Sequence, residues 1–165
     1  MPISPDIPVV LLGTYAFAWQ IYGDFSGYSD IARGAAQILG FHFMVNFRQP
    51  YFAQRLQEFW RRWHISRSSW LGDYLYISLG GNRKGESRTM GNLLTTMLLG
   101  GLWHGANWTF VIWGGIHGAG LAIEQVLGVA KNWSASSFFG TWMRRIFVFH
   151  LVCFTWIFFR GESLG

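Results

Sequence analysis

Charge-free runs alternate with short polar stretches along the chain, and the length of each run limits what it can build. Ile7 to Gly23 holds 17 residues without a charge, at the short limit for a helix crossing a bilayer. Asp24 to Asp30 places an acid on either side of Phe-Ser-Gly-Tyr-Ser and reads as a polar break. Ile31 to Phe47, charged only at Arg33, then predicts a shorter, half-buried helix. Between residues 52 and 64 the pattern changes. Phe52, Leu56, Phe59, Trp60 and Trp63 fall on one helical stripe, with Arg55, Glu58, Arg61 and Arg62 on the other face. A basic face opposite a Trp/Phe face predicts an amphipathic helix lying in the headgroup region. Its bland counterpart is an amphipathic helix packed on a protein core.

Trp70 to Leu79 is aromatic and charged only at Asp73, and Gly80 to Arg88 is a turn-rich basic loop. Thr89 to Ile123 is the longest uncharged run, 35 residues. As one straight helix it would reach about 52 Å, against a hydrocarbon core of about 30 Å. It therefore has to break, with Gly100-Gly101, Gly105 and Gly114-Gly115 as candidate places. Basic residues flank both of its ends, Lys131 among them, which the positive-inside tendency reads as two passes or a re-entrant hairpin. Ile146 to Phe159 adds 14 uncharged residues between Arg144-Arg145 and Arg160, enough to span if those arginines snorkel. The pattern as a whole predicts an all-α integral membrane protein with three to five membrane segments, and no internal repeat, linker or second domain.

Composition sharpens this. Only 13% of the 165 residues are charged, about half the usual share, and 19% are aromatic. So few charges do not cover a water-soluble domain of this size, and disorder is excluded by the large apolar content. Thirteen Lys and Arg against eight Asp and Glu leave a net charge of +5. These cations sit in short stretches between apolar runs, as in membrane-protein loops, so the balance does not mark a nucleic-acid partner. The single Cys153 implies no internal disulfide, and the acid-bearing start is a poor signal peptide.

The five histidines are His42, His64, His104, His117 and His150, and none has a ligand-spaced set around it, so no metal site is expected. His104 is the leading candidate for chemistry. It lies inside the 35-residue run, in Gly100-Gly-Leu-Trp-His-Gly-Ala-Asn-Trp108, where an ionisable group is costly and usually faces a cavity or partner. Desolvation favours the neutral imidazole, a base suited to taking a proton from an alcohol. The alternative is a histidine bonded to a carbonyl within a helix interface. His64 ends the amphipathic stretch and on spacing alone reads as an interfacial anchor. Asp24 and Asp30 are either a polar gate, an ion-pair partner for Arg33, or solvated acids. No Gly-x-Ser-x-Gly elbow points to a serine hydrolase.

Five stretches occur in order: Gln20-Ile-Tyr-Gly-Asp-Phe-Ser-Gly-Tyr-Ser-Asp30, Glu58-Phe-Trp-Arg-Arg-Trp-His-Ile-Ser66, Trp70-Leu-Gly-Asp-Tyr-Leu-Tyr-Ile77, Leu79-Gly-Gly-Asn-Arg83 and Leu98-Leu-Gly-Gly-Leu-Trp-His-Gly-Ala-Asn-Trp108. Together they resemble the membrane-bound O-acyltransferase family from about Val9 to Arg160. The nearest branch looks like the bacterial alginate O-acetyltransferase membrane subunits, with the teichoic-acid D-alanyl transfer proteins as cousins. The resemblance implies a ring of tilted and re-entrant helices around a thinned centre, multi-pass in a bacterial inner membrane. It implies transfer of an acyl group, acetyl above all, from a thioester on coenzyme A or an acyl carrier protein. The acceptor is a hydroxyl of an exopolysaccharide or a partner protein. No bound cofactor is implied. Implied partners are the lipid bilayer, extracytoplasmic polysaccharide-acetylation proteins and an acyl carrier protein. The family's catalytic histidine falls on His104 and its second functional position on His64. Trp63, Trp103, Asn107, Asp24 and Asp30 are the supporting or substrate-binding candidates on the same motifs. Family members run to several hundred residues. The resemblance therefore implies one partial domain, residues 1–165, lacking the N-terminal helices of the family. The competing reading is a non-catalytic membrane remnant or scaffold that binds polysaccharide-modification partners.

Overall fold

The computed structural model describes residues 6–128 and 137–160, and every regular element among them is helical. Helix α1 runs from Ile7 to Ile38, α2 from Leu56 to Arg62, α3 from Ile65 to Trp70, α4 from Glu86 to Leu102, α5 from Trp108 to Val126 and α6 from Phe138 to Arg160. A 3₁₀ turn at Pro50–Phe52 precedes α2, and a π-helical turn at Leu71–Tyr76 extends α3. Lys131 lies outside the described residues.

The long uncharged run breaks where length requires. α4 and α5 form an antiparallel hairpin around a turn at residues 103–107 that contains Gly105. The other glycines serve packing, not the break. A Cβ on Gly101 would collide with the Phe110 carbonyl oxygen, and one on Gly114 with the Met97 carbonyl oxygen. One on Gly118 would come within 2.9 Å of Leu94 Cα. The two backbones therefore approach closely enough that only hydrogen fits, the contact small residues provide between apolar helices.

Two expectations are corrected. Asp24 to Asp30 is not a loop, because α1 passes through it without interruption. A Cβ on Gly23 or Gly27 would meet nothing, so neither glycine is required by a turn. Ser29 is buried, and Asp30 pairs with Arg33 at 2.8 Å, one helical turn along. Nor is residues 52–64 one amphipathic helix with an open aromatic face. The chain forms a 3₁₀ turn, then α2, and turns sharply at His64. Leu56, Phe59 and Trp63 are buried inside the protein, so the stripe faces other helices. Trp63 stacks on Phe59 and packs against Trp156 of α6 at 5.2 Å between ring centroids.

Polar bonds tie these elements together. The Tyr51 hydroxyl donates to the Ala18 carbonyl of α1 at 2.6 Å. Glu124 of α5 receives the first amides of α2, from Leu56 at 2.5 Å and Gln57 at 3.0 Å, supplying the carboxylate cap that α2 lacks in its own sequence. Among the described residues α6 is the one helix long and apolar enough to cross a membrane, with 23 residues and an 18-residue stretch whose mean hydropathy is 1.4. At 1.5 Å per residue it reaches about 34 Å, close to the hydrocarbon thickness. It begins at Phe138, eight residues ahead of the charge-free run at Ile146, and so carries Arg144 and Arg145 within it. Arg145 lies over the rings of Trp142 and Phe52, at 5.1 and 5.9 Å from their centroids, a cation–π placement for a guanidinium in an apolar helix.

Candidate active site

His64 owes its position to a backbone break. Trp63 is extended, at φ −101° and ψ 125°, and His64 is left-handed, at φ 44° and ψ 58°. A branched-free but bulky residue in that region is uncommon and is held by its surroundings. Asn46 supplies the hold: its carbonyl receives the Ile65 amide and its side-chain oxygen the Ser66 amide, both at 3.0 Å. The break turns the His64 ring edge-on to Phe25 of α1, at 4.7 Å between centroids. Burial, with the nearby Arg67 guanidinium adding to it, pushes the His64 imidazole down to about 4, so it is neutral at pH 7.

His104 stands in the turn that follows α4. Its ring packs edge-on to Phe159 of α6 at 4.8 Å and to Trp113 of α5 at 5.6 Å, while its remaining surface is exposed. Arg67 Nη1 lies 2.7 Å from His104 Nε2. A guanidinium only donates, so Nε2 accepts, and the imidazole is the neutral tautomer with its proton on Nδ1. Arg67 Nη2 donates to the Gly100 carbonyl in the last turn of α4, where a helix has spare acceptors and favours a cation.

His64 and His104, far apart in the chain, line one cavity of about 750 Å³ together with Asp24, Trp103 and Arg67. Gln20, Phe25 and Tyr28 of α1 and Phe159 of α6 complete much of its wall. A second cavity of about 390 Å³ is lined by Trp60, Arg61, Ser68, Met97 and Glu124 among others. Among the described residues Arg67 alone belongs to both linings. An uncharged imidazole bordering a polar-edged cavity, with a second neutral imidazole and a carboxylate on the same wall, can take and return a proton. Such a wall also suits hydrogen bonding to a sugar-like hydroxyl.

The other candidates serve elsewhere. Asp30 is paired with Arg33 and is not part of the cavity wall. Trp63 is buried in the aromatic core directly before His64. Asn107 accepts from the Thr109 amide at 3.2 Å and so caps α5. His117 is fully buried: it receives the Trp60 indole N–H at Nδ1 and reaches Thr155 Oγ1 at 3.0 Å. His42 and His150 are exposed on α1's C-terminal side and on α6. Arg67 is the residue the sequence did not single out. Its one linear signal is a lone cation three residues past His64, on the same side of a short helix.

The profile of the membrane-bound O-acyltransferase family matches residues 4–164. A probable alginate O-acetylase of Pseudomonas fluorescens is 57% identical over 98% of this chain and 32% of its own length. A peptidoglycan O-acetyltransferase of Helicobacter pylori is 41% identical over 90% of this chain and 28% of its own. A teichoic acid D-alanyltransferase of Bacillus subtilis is 29% identical over 92% of this chain and 41% of its own. The chain thus spans about a third of the length of the alginate relatives it matches.

Proposed function

The chain belongs to the membrane-bound O-acyltransferase family, and from that premise we propose that it carries the reaction centre of an enzyme that acylates a polysaccharide hydroxyl at a bacterial inner membrane. Acetyl is the acyl group and an exopolysaccharide the acceptor, in line with the alginate and peptidoglycan O-acetylating relatives. The donor is a thioester on coenzyme A or an acyl carrier protein. One observation carries the reading: His104 and His64 converge on a single cavity that also holds Asp24.

In the proposed reaction His104 is the general base. Nε2 takes the proton of the acceptor hydroxyl as its oxygen attacks the thioester carbonyl carbon. The C–O bond forms, the C–S bond breaks, and the leaving sulfur recovers the proton from the imidazolium, so the histidine ends as it began. His64, neutral at pH 7, offers one ring N–H to the carbonyl oxygen where negative charge develops. Asp24 sits on the same wall, placed to accept a hydrogen bond from a second hydroxyl of the acceptor. α6 and the α4–α5 hairpin seat the centre in the bilayer.

The test is transfer of radiolabelled acetyl to cell-surface polysaccharide, with the substitution made at the chromosomal locus. His104→Ala should lower transfer about 10²- to 10⁴-fold, the usual worth of a general base, while the protein still accumulates in membranes. A wild-type rate in that variant overturns the reading.

A further inference from the structure

A guanidinium occupies the very nitrogen that a base at position 104 must use. Arg67 Nη1 is 2.7 Å from His104 Nε2, and Nη2 is anchored on the Gly100 carbonyl. The fork therefore ties the ring to the end of α4 and fixes its tautomer at once. Gly100 leaves room for this: a Cβ there would stand 3.3 Å from Arg67 Nη2 and 3.2 Å from Leu71 Cδ1. Arg67 Nε is buried and has no hydrogen-bond partner, so the guanidinium is not saturated by its structural contacts. Burial lowers its pKa to about 10, which leaves it charged at neutral pH. It is also the residue common to both cavities. A plain helix-end cap would explain the Gly100 bond, but not the bond to the imidazole.

We propose that Arg67 is a positioning residue for the transfer reaction: its two-pronged guanidinium holds His104 as the Nδ1–H tautomer, with Nε2 turned to the cavity and covered until the acceptor hydroxyl displaces Nη1. The proposal rests on His104 being the base. The Gly100 anchor keeps the guanidinium beside the ring during displacement, so Nε2 is presented bare and in place rather than searching among rotamers. A lysine at 67 keeps the charge but not the fork, because an ammonium has no planar pair of donors to span both acceptors.

The experiment compares Arg67→Ala, Arg67→Lys and His104→Ala in native membranes, with and without millimolar guanidinium, and records ring ¹⁵N shifts of His104 in the detergent-solubilised protein. Arg67→Ala should lower kcat on the order of 10²-fold with little change in KM for the donor, as expected when a group that orients a catalytic imidazole is lost. Added guanidinium should restore part of that rate in Arg67→Ala and none in His104→Ala. The ¹⁵N spectrum should show an unprotonated Nε2, accepting a hydrogen bond, in the wild type and a mixture of tautomers in Arg67→Ala. Arg67→Lys should accumulate normally and stay at least tenfold slow. A wild-type rate in Arg67→Lys, or an unrescued Arg67→Ala whose His104 tautomer is unchanged, overturns the proposal. Failure of both variants to accumulate in membranes also overturns it, by making Arg67 a folding residue. A fully active His104→Ala with a slow, rescuable Arg67→Ala would instead remove the base assignment on which the proposal stands.

Discussion

His117 and His104 both touch the Trp113 ring, at 4.8 and 5.6 Å between centroids, yet they differ in what is left for chemistry. The hydroxyl of Thr155 gives its proton to the Val152 carbonyl, so it accepts from His117 Nε2, while Nδ1 of His117 receives the Trp60 indole. Both nitrogens are used and no surface is open, which makes His117 a polar tie between α2, α5 and α6. His104 has an open side and one nitrogen held by a displaceable donor. His64 lies between these cases, half-buried, with Ser66 Oγ 3.5 Å from Nδ1. Since burial opposes its charged form, a ¹⁵N titration should place its midpoint near 4. A midpoint near the ordinary histidine value of about 6.5 would show the ring bathed in water. The sign matters for function: lowering the pH from 7 to 5 leaves His64 neutral, so it contributes no acid limb to the rate in that range.

At the scale of elements, the α4–α5 hairpin decides where His104 stands. Its turn is set by backbone contact at Gly101 and Gly114, where a side chain would strike a carbonyl of the opposing helix. Gly114→Ala should therefore force the helices apart and cost about 1–3 kcal/mol, the usual penalty for overpacking. A lower unfolding temperature in detergent would register this, together with reduced acetyl transfer as His104 moves away from Arg67. Gly13→Ala on α1, whose Cβ would meet nothing, is the matched control: it should leave transfer unchanged and lower the unfolding temperature not at all, since alanine favours a helix interior over glycine. The hairpin was legible in the sequence because a bilayer cannot hold 35 uncharged residues in one straight helix. The unity of α1 was not. Gly23, Ser26, Gly27 and Ser29 carry turn chemistry in one dimension, and only the packed helix shows that Ser29 is buried and that Asp24 looks onto a cavity. The break at His64 was hidden for a related reason. It depends on Asn46, which falls inside the stretch read as a second helix, whereas α1 ends at Ile38 and leaves Asn46 in extended chain, free to bond residues 65 and 66.

On the scale of the whole molecule, the site is assembled from α1, the α2–α3 break, the α4–α5 turn and the end of α6, so no single segment contains it. His104 stood out by its place inside the long uncharged run, whereas His64 read on spacing as an interfacial anchor and became a candidate only through the family resemblance. Their convergence, and the guanidinium bridging one of them to Gly100, belong to tertiary structure alone. Large apolar side chains on α1, among them Ile7, Leu12, Ile31 and Ile38, are exposed, as are Phe138 and Phe147 on α6. Such faces suit lipid or further helices, and the alginate relatives are about three times this length.

The claim that everything turns on is that position 104 borders a water-reachable cavity shared with His64, and that measurement is thiol accessibility. In a Cys153→Ser background, His104→Cys should react in intact membranes with a small charged methanethiosulfonate, and bound donor thioester should slow the reaction. Trp113→Cys, at a position only 1% exposed, should resist the same reagent. Labelling of His104→Cys by lipid-soluble reagents alone, indifferent to the donor, would contradict the cavity and the base together.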